Sequence, residues 1–176
     1  MLVVAGPPGS GKSSILRPED ETDYFNADER ARDLNKGHGQ GISPEIRRVV
    51  NLALEAFISD RIRDGKSFSY ETTLRTTITF EQARSAKQHG FETQMQYVAL
   101  ASAEDSIPRV RARAVQGGHS APPERIREIY EASLRNLAQA NQRIRTSCRS
   151  MTIATELSVR PQLVSWKVGK ARSLPS

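Results

Sequence analysis

Leu2-Val3-Val4-Ala5, followed at once by Gly6-Pro7-Pro8-Gly9-Ser10-Gly11-Lys12-Ser13-Ser14, decides the fold class. Gly6 and Gly11 enclose four residues and lead into Lys-Ser, the pattern of a phosphate-binding loop. The glycines let successive backbone N–H groups turn inward onto phosphate, and the helix that follows adds its N-terminal partial charge. Lys12 belongs on the β- and γ-phosphates of a nucleoside triphosphate, and the Ser13 hydroxyl on Mg²⁺. The context agrees, because the loop leaves an apolar strand and enters a helix-compatible stretch. A chance glycine-rich turn would need neither flank.

Outward from the loop, short β-like runs alternate with helical patterns. The runs lie at Leu2–Ala5, Tyr24–Phe25, Phe68–Tyr70, Met95–Leu100, Met151–Ala154 and Leu163–Val168. Ser43-Pro44 reads as an N-cap with proline at the first helical position. Ile46, Val49, Val50, Ala53, Leu54, Phe57, Ile58 and Ile62 then recur at helical spacing, up to a stop at Gly65. Phe80 to His89 forms a second helix, ended by Gly90. Ile126, Tyr130, Leu134, Leu137 and Ile144 mark a third, entered through Pro122-Pro123-Glu124. The helix after the loop is short, broken at Pro18. Strand–helix alternation predicts an α/β domain with a mostly parallel sheet flanked by helices, spanning residues 1–176.

Composition sets the remaining bounds. The chain has 176 residues, 37% of them hydrophobic and 26% charged, as expected of a globular protein and not of a disordered one. No apolar run approaches the roughly 18 residues of a membrane helix, and Leu2–Ala5 is too short for a signal peptide. A single cysteine, Cys148, allows neither an internal disulfide nor a zinc cluster, so the cytoplasm is the expected compartment. The net charge of +6 resides in the second half. Residues 1–88 carry 13 basic and 13 acidic side chains, whereas residues 89–176 carry 13 and 7. Arginine dominates, the side chain that grips phosphate bidentately. Nucleic acid and a phosphorylated small molecule both fit that charge.

Three further groups of residues carry chemistry. Asp28, in Phe25-Asn26-Ala27-Asp28, lies just past the second strand, where α/β sites are built. It serves either as a base for an acceptor hydroxyl or as a first-turn helix acid. Glu71-Thr72-Thr73-Leu74-Arg75 follows the strand at Phe68–Tyr70. It offers a carboxylate, hydroxyls and a guanidinium to a polar acceptor, or is an ordinary polar turn. Arg109, Arg111 and Arg113, then Gly117-Gly118-His119, Arg125 and Arg127, suit a lid closing over phosphates, or a solvated basic helix face. His119 reads as a turn or hinge residue in preference to a metal ligand, and Cys148 and Trp166 as packing residues.

Taken together, these motifs resemble the zeta toxin family of phosphate-loop kinases, especially its short stand-alone members. The likeness runs through Gly6–Ser13, Phe25-Asn26-Ala27-Asp28, Phe68 with Glu71-Thr72-Thr73-Leu74, and Val98-Ala99-Leu100. It continues through Arg109-Val110-x-x-Arg113, Gly117-Gly118-His119 and Ser133-Leu134-x-Asn136-Leu137. The resemblance implies a nucleotide-kinase-like fold and transfer of the ATP γ-phosphoryl group to a hydroxyl of UDP-N-acetylglucosamine. It implies ATP and Mg²⁺ held by Lys12 and Ser13, and Asp28 as the base. Glu71, Thr73 and Arg75 would lie on the sugar nucleotide, and Arg113, with Arg109 or Arg127, would clamp phosphates. A helical antitoxin partner is also implied. Two stretches depart from the family: Arg127-Glu128-Ile129-Tyr130 lacks its consecutive arginines, and Thr155-Glu156-Leu157-Ser158 replaces an Asp-Asn-Ser. Kinases of a nucleoside, an antibiotic or a polynucleotide end share the loop. A nucleotide-dependent nucleic-acid-binding module is disfavoured, because aromatic residues for base stacking are only 6% of the chain.

Overall fold

Strand β1 (Leu2–Ala5) is the centre of a five-stranded sheet. It pairs in parallel with β3 (Phe68–Thr72) on one side and β4 (Thr93–Ala99) on the other. Strand β2 (Asp23–Phe25) joins β3 in parallel, and β5 (Gln162–Val168) closes the far edge antiparallel to β4. The order β2-β3-β1-β4-β5 places the loop after β1 at the middle of the sheet's carboxyl edge, where α/β folds bind ligands. This computed structural model describes residues 1–15, 23–145 and 162–168, with side chains for 1–13 and 23–139. The strand expected at Met151–Ala154, the break at Pro18, Cys148 and the Thr155–Ser158 stretch lie outside the described residues.

Helices α1 (Lys12–Ile15), α2 (Ala27–Leu34), α3 (Pro44–Arg63), α4 (Ile78–Gln88), α5 (Ala103–Val115) and α6 (Pro123–Arg145) connect the strands. The expected boundaries at Ser43, Gly65 and Gly90 hold. Ser43 Oγ accepts the Ile46 N–H at 3.3 Å. Both glycines take positive φ beyond their helices, and the N–H groups of Lys66 and Phe91 reach back to the carbonyls of Arg61 and Ala86, as in a Schellman cap. Two helices escaped the apolar periodicity. Helix α2 is entered through Asn26, whose side chain accepts from the N–H groups of Asp28 and Glu29. Helix α5 is entered through Ser102, whose Oγ accepts from the Asp105 N–H and donates to the Asp105 carboxylate. Pro108 sits inside α5 and disguises it as a loop.

The core lies where the faces of β1, β3 and β4 meet α3, α4 and α6. Val3, Ala5, Phe68, Tyr70, Ile58, Ala86 and Tyr97 are buried there. Phe57 packs against Phe25 and Phe68 at ring-centroid distances of 5.4 and 5.9 Å, and such pairs add about 0.5–1.5 kcal/mol each beyond area burial. The apolar stripe on α3 is narrower than its sequence suggested. Val50 is buried but Val49 is 52% exposed, since neighbouring helical residues point about 100° apart. On α6 the buried line is Ile126, Tyr130 and Ser133, while Leu134 is partly exposed. Ser133 Oγ meets the Tyr97 hydroxyl at 2.7 Å, satisfying two buried polar groups.

Gly6 marks the tightest junction. It has φ +148°, and a Cβ there would stand 2.1 Å from the Val98 carbonyl oxygen of β4. Gly6→Ala is therefore expected to cost about 2–5 kcal/mol through backbone strain and overpacking. Thermal unfolding checks this, with a midpoint drop of roughly 5–15 °C expected for a chain this size.

Candidate active site

A continuous line of contacts runs along the carboxyl edge of the sheet. The loop after β1 folds back so that Lys12 Nζ donates to the carbonyls of Gly6 at 2.9 Å and Pro7 at 3.2 Å. The Gly6 N–H in turn donates to Thr72 O at the end of β3, 3.1 Å away. Beside Thr72, Glu71 accepts a hydrogen bond from the Tyr24 hydroxyl, and Asn26 Nδ2 reaches that hydroxyl at 3.4 Å. Asn26 caps α2 and so fixes Asp28 in its first turn. Asp28 Oδ2 faces the Arg113 guanidinium of α5 at 3.5 Å. One ammonium, two carboxylates and one guanidinium thus come from four separate elements.

Their charges act on one another. Burial lowers the Lys12 pKa below its ordinary value, and Glu71 and Asp28 oppose that shift by favouring the ammonium; Arg113 adds to it. Burial, then the bond to Glu71, raises the Tyr24 phenol well above its ordinary range, so the hydroxyl stays a donor that orients the carboxylate. Such perturbed groups gathered in one place are a mark of functional sites.

The loop itself suits phosphate. Gly9 and Gly11 both take positive φ, the backbone state that lets neighbouring N–H groups form an anion-binding concavity. A Cβ on Gly9 would lie 2.9 Å from Ser106 O and 3.5 Å from Arg109 Cβ, so the loop rests directly on α5. Pro7 and Ser10 are buried beneath it, Pro8 is half-buried, and Ser13 is exposed at the start of α1. Ser14 follows in the same helix. Lys12 at the mouth and an exposed hydroxyl beside it fit a triphosphate with its metal.

The turn after β3 is strained. Leu74 is fully buried at φ +55°, a region that costs a non-glycine residue about 1–3 kcal/mol. Two hydrogen bonds hold it there: the Leu74 N–H to Thr72 Oγ1 at 3.1 Å, and Asn136 Nδ2 to Leu74 O at 2.9 Å. The turn sets Thr73, half-buried, and Arg75, exposed, beyond Glu71 on the same strand end.

The arginines divide. Arg109 and Arg113 are one helical turn apart on α5 and share its loop-facing side. Arg127 is engaged elsewhere, with its Nε 2.7 Å from Glu104 at the start of α5, outside the group around Lys12. Gly117 and Gly118 close α5 as a Schellman cap, their N–H groups donating to Ala114 O and Arg113 O. His119 follows in a position that faces Asp28, Arg47 and Arg113. Burial lowers its imidazole pKa below the usual value; Asp28 opposes the shift, and the two arginines reinforce it. The unfolded chain therefore binds a proton at His119 before the folded chain does, and stability falls as pH drops below about 6.5. His119→Gln is expected to flatten that part of the stability–pH curve, which denaturant titrations between pH 7 and 5 measure.

Tyr24, Gly39 and Gln40 were not singled out in the sequence, although Gly37, Gly39 and Gly41 at alternate positions signal a constrained loop. Among the described residues no group of three His, Cys, Asp or Glu could hold a metal, and no helix is long and apolar enough to cross a membrane.

Residues 1–137 match the AAA domain family. The chain belongs to that family. This AAA domain has the phosphate-loop, kinase-like α/β fold, which two solved structures share. A curated Haemophilus influenzae protein, named only as uncharacterized, is 26% identical over 124 residues, 67% of this chain and 83% of its own. A chain of the Pnkp1/Rnl/Hen1 RNA repair complex superposes with TM-score 0.59 at 17% identity, covering 91% of this chain and 46% of that one. A Chloroflexus aurantiacus protein described as a putative kinase superposes with TM-score 0.55 at 18% identity, over 72% of this chain and 77% of its own.

Proposed function

We propose that this AAA-family chain is an ATP-dependent phosphotransferase of the zeta-toxin type, acting on a hydroxyl of a nucleotide sugar, with UDP-N-acetylglucosamine as the acceptor. The observation that carries the reading is the convergence of Lys12, Asp28, Glu71 and Arg113 on the phosphate loop. Lys12 and the loop N–H groups would hold the β- and γ-phosphates, and Ser13 the Mg²⁺. When bound, MgATP supplies an electrophilic γ-phosphorus with its charge partly neutralised. Asp28, exposed at the edge of the site, takes the proton of the attacking hydroxyl. Arg113, with Arg109 beside the loop, stabilises charge on the transferring group. Glu71, held by Tyr24, accepts from an acceptor hydroxyl and, with Thr73 and Arg75, orients it.

A second acceptor class, the hydroxyl end of a polynucleotide, is favoured by one observation. The fold match to a chain of the RNA repair complex extends over 91% of this protein. The test offers Mg²⁺ and radiolabelled ATP with either UDP-N-acetylglucosamine or a 5′-hydroxyl RNA, and Lys12→Ala as the blank. Label on the sugar nucleotide in the wild type alone is the expected result. Label on the RNA alone would replace the acceptor, and label on neither would remove both.

A further inference from the structure

Among the described residues, the loop of residues 35–41 makes no hydrogen bond to the phosphate loop or to a side chain assigned to phosphoryl transfer, yet its own bonds constrain it. Asn35, the C-cap of α2, sends its amide to two carbonyls of the loop, His38 O and Gln40 O, each at 2.8 Å. Gln40 Nε2 then crosses to α5 and donates to Ala114 O at 2.7 Å. The Gly39 N–H donates to Gly117 O at 3.2 Å. Gly39 is buried, and a Cβ on it would meet Gly117 O and the Gly118 carbonyl carbon at 2.6 Å, so only glycine fits the crossing.

The two helices so joined are the ones that carry the facing charges. Helix α2 bears Asp28 at its start and Asn35 at its end; α5 bears Arg113 one residue before the carbonyl that Gln40 grips. The Asp28–Arg113 pair itself is exposed and 3.5 Å apart, too weak to set its own geometry. We propose that residues 35–41 form a positioning bracket, in which Gln40 and Gly39 hold the last turn of α5 against α2 so that Arg113 stands opposite Asp28. The proposal rests on the phosphotransferase reading for its kinetic consequence, though not for the bracket itself. A displacement of about 1 Å in a charged group of this kind lowers turnover by up to roughly a hundredfold.

Gln40→Leu removes the donor and shortens the side chain by one atom, so it cannot reach Ala114 O with a polar group. It is expected to lower kcat by about ten- to a hundredfold with the KM for ATP unchanged. In an Arg113→Ala background the same substitution is expected to change kcat less than twofold, because its effect passes through Arg113. Equal losses in both backgrounds would overturn the bracket, as would an unchanged kcat in the single variant. Amide hydrogen exchange gives an arm independent of activity: faster exchange at Gly117 and Gly118 in Gln40→Leu supports the bracket, and unaltered exchange refutes it. Should the wild type phosphorylate no acceptor, the phosphotransferase reading fails and the exchange arm decides the bracket alone. Gly39→Ala serves as the second variant, with the same two outcomes.

Discussion

Asp28→Ala is expected to bind ATP as the wild type does and to lose turnover by roughly 10²–10⁴-fold, the range for removing a general base. A folding defect does not account for such a loss. Asp28 is exposed, and its ion pair with Arg113 spans 3.5 Å between side chains 58% and 44% exposed, a pairing worth under about 1 kcal/mol. Its place in the first turn of α2 adds about 0.3–1 kcal/mol from the helix dipole. The variant therefore stays folded, and the effect falls on kcat. Nucleotide titration together with steady-state transfer separates the two. Undiminished turnover in Asp28→Ala would remove this carboxylate from the chemistry and leave Glu71 as the other carboxylate that acts on Lys12 among the described residues.

Lys12→Ala has the second large expected effect, and it falls on binding as well as on rate. The ammonium is drawn toward two carboxylates and bonded to two loop carbonyls, so its loss removes both the phosphate contact and a tie across the loop. A fall of about 10²–10³ in kcat is expected, comparable to removing one charge-stabilising donor, with weaker ATP binding measured by direct titration. Lys12→Arg is not expected to rescue it, because the forked guanidinium does not fit the position of a compact ammonium between Gly6 O and Pro7 O. Wild-type ATP affinity in Lys12→Ala would place the triphosphate away from this loop.

Much of this architecture was legible in the residues. A glycine-rich stretch between an apolar strand and a Lys-Ser start has few physical solutions, which is why the loop and the parallel sheet could be read directly. Ser43-Pro44, Gly65 and Gly90 marked helix ends because capping is local chemistry. Helix α5 was read only as a basic helix face, as an alternative to a lid and without its start, because Pro108 breaks the apolar pattern, although the Ser102-x-x-Asp105 cap was present. The width of the α3 stripe was overread at Val49, since composition does not reveal how far a neighbouring layer extends around a helix.

The site divides along the same line. Which residue types carry the chemistry was written in short local patterns: Lys12 and Ser13 after the glycines, Asp28 and Glu71 at strand ends, arginines along one helix. Their meeting was not, because it depends on contacts between residues far apart in the chain. Tyr24 finds Glu71 across two strands, Asn136 pins the strained Leu74 turn from α6, and Gln40 reaches the end of α5. Arg127 looks equivalent to Arg113 in the sequence, yet the crossing of α5 and α6 delivers it to Glu104 instead. Local chemistry chose the actors, and the packing of helices on the sheet chose which of them stand together.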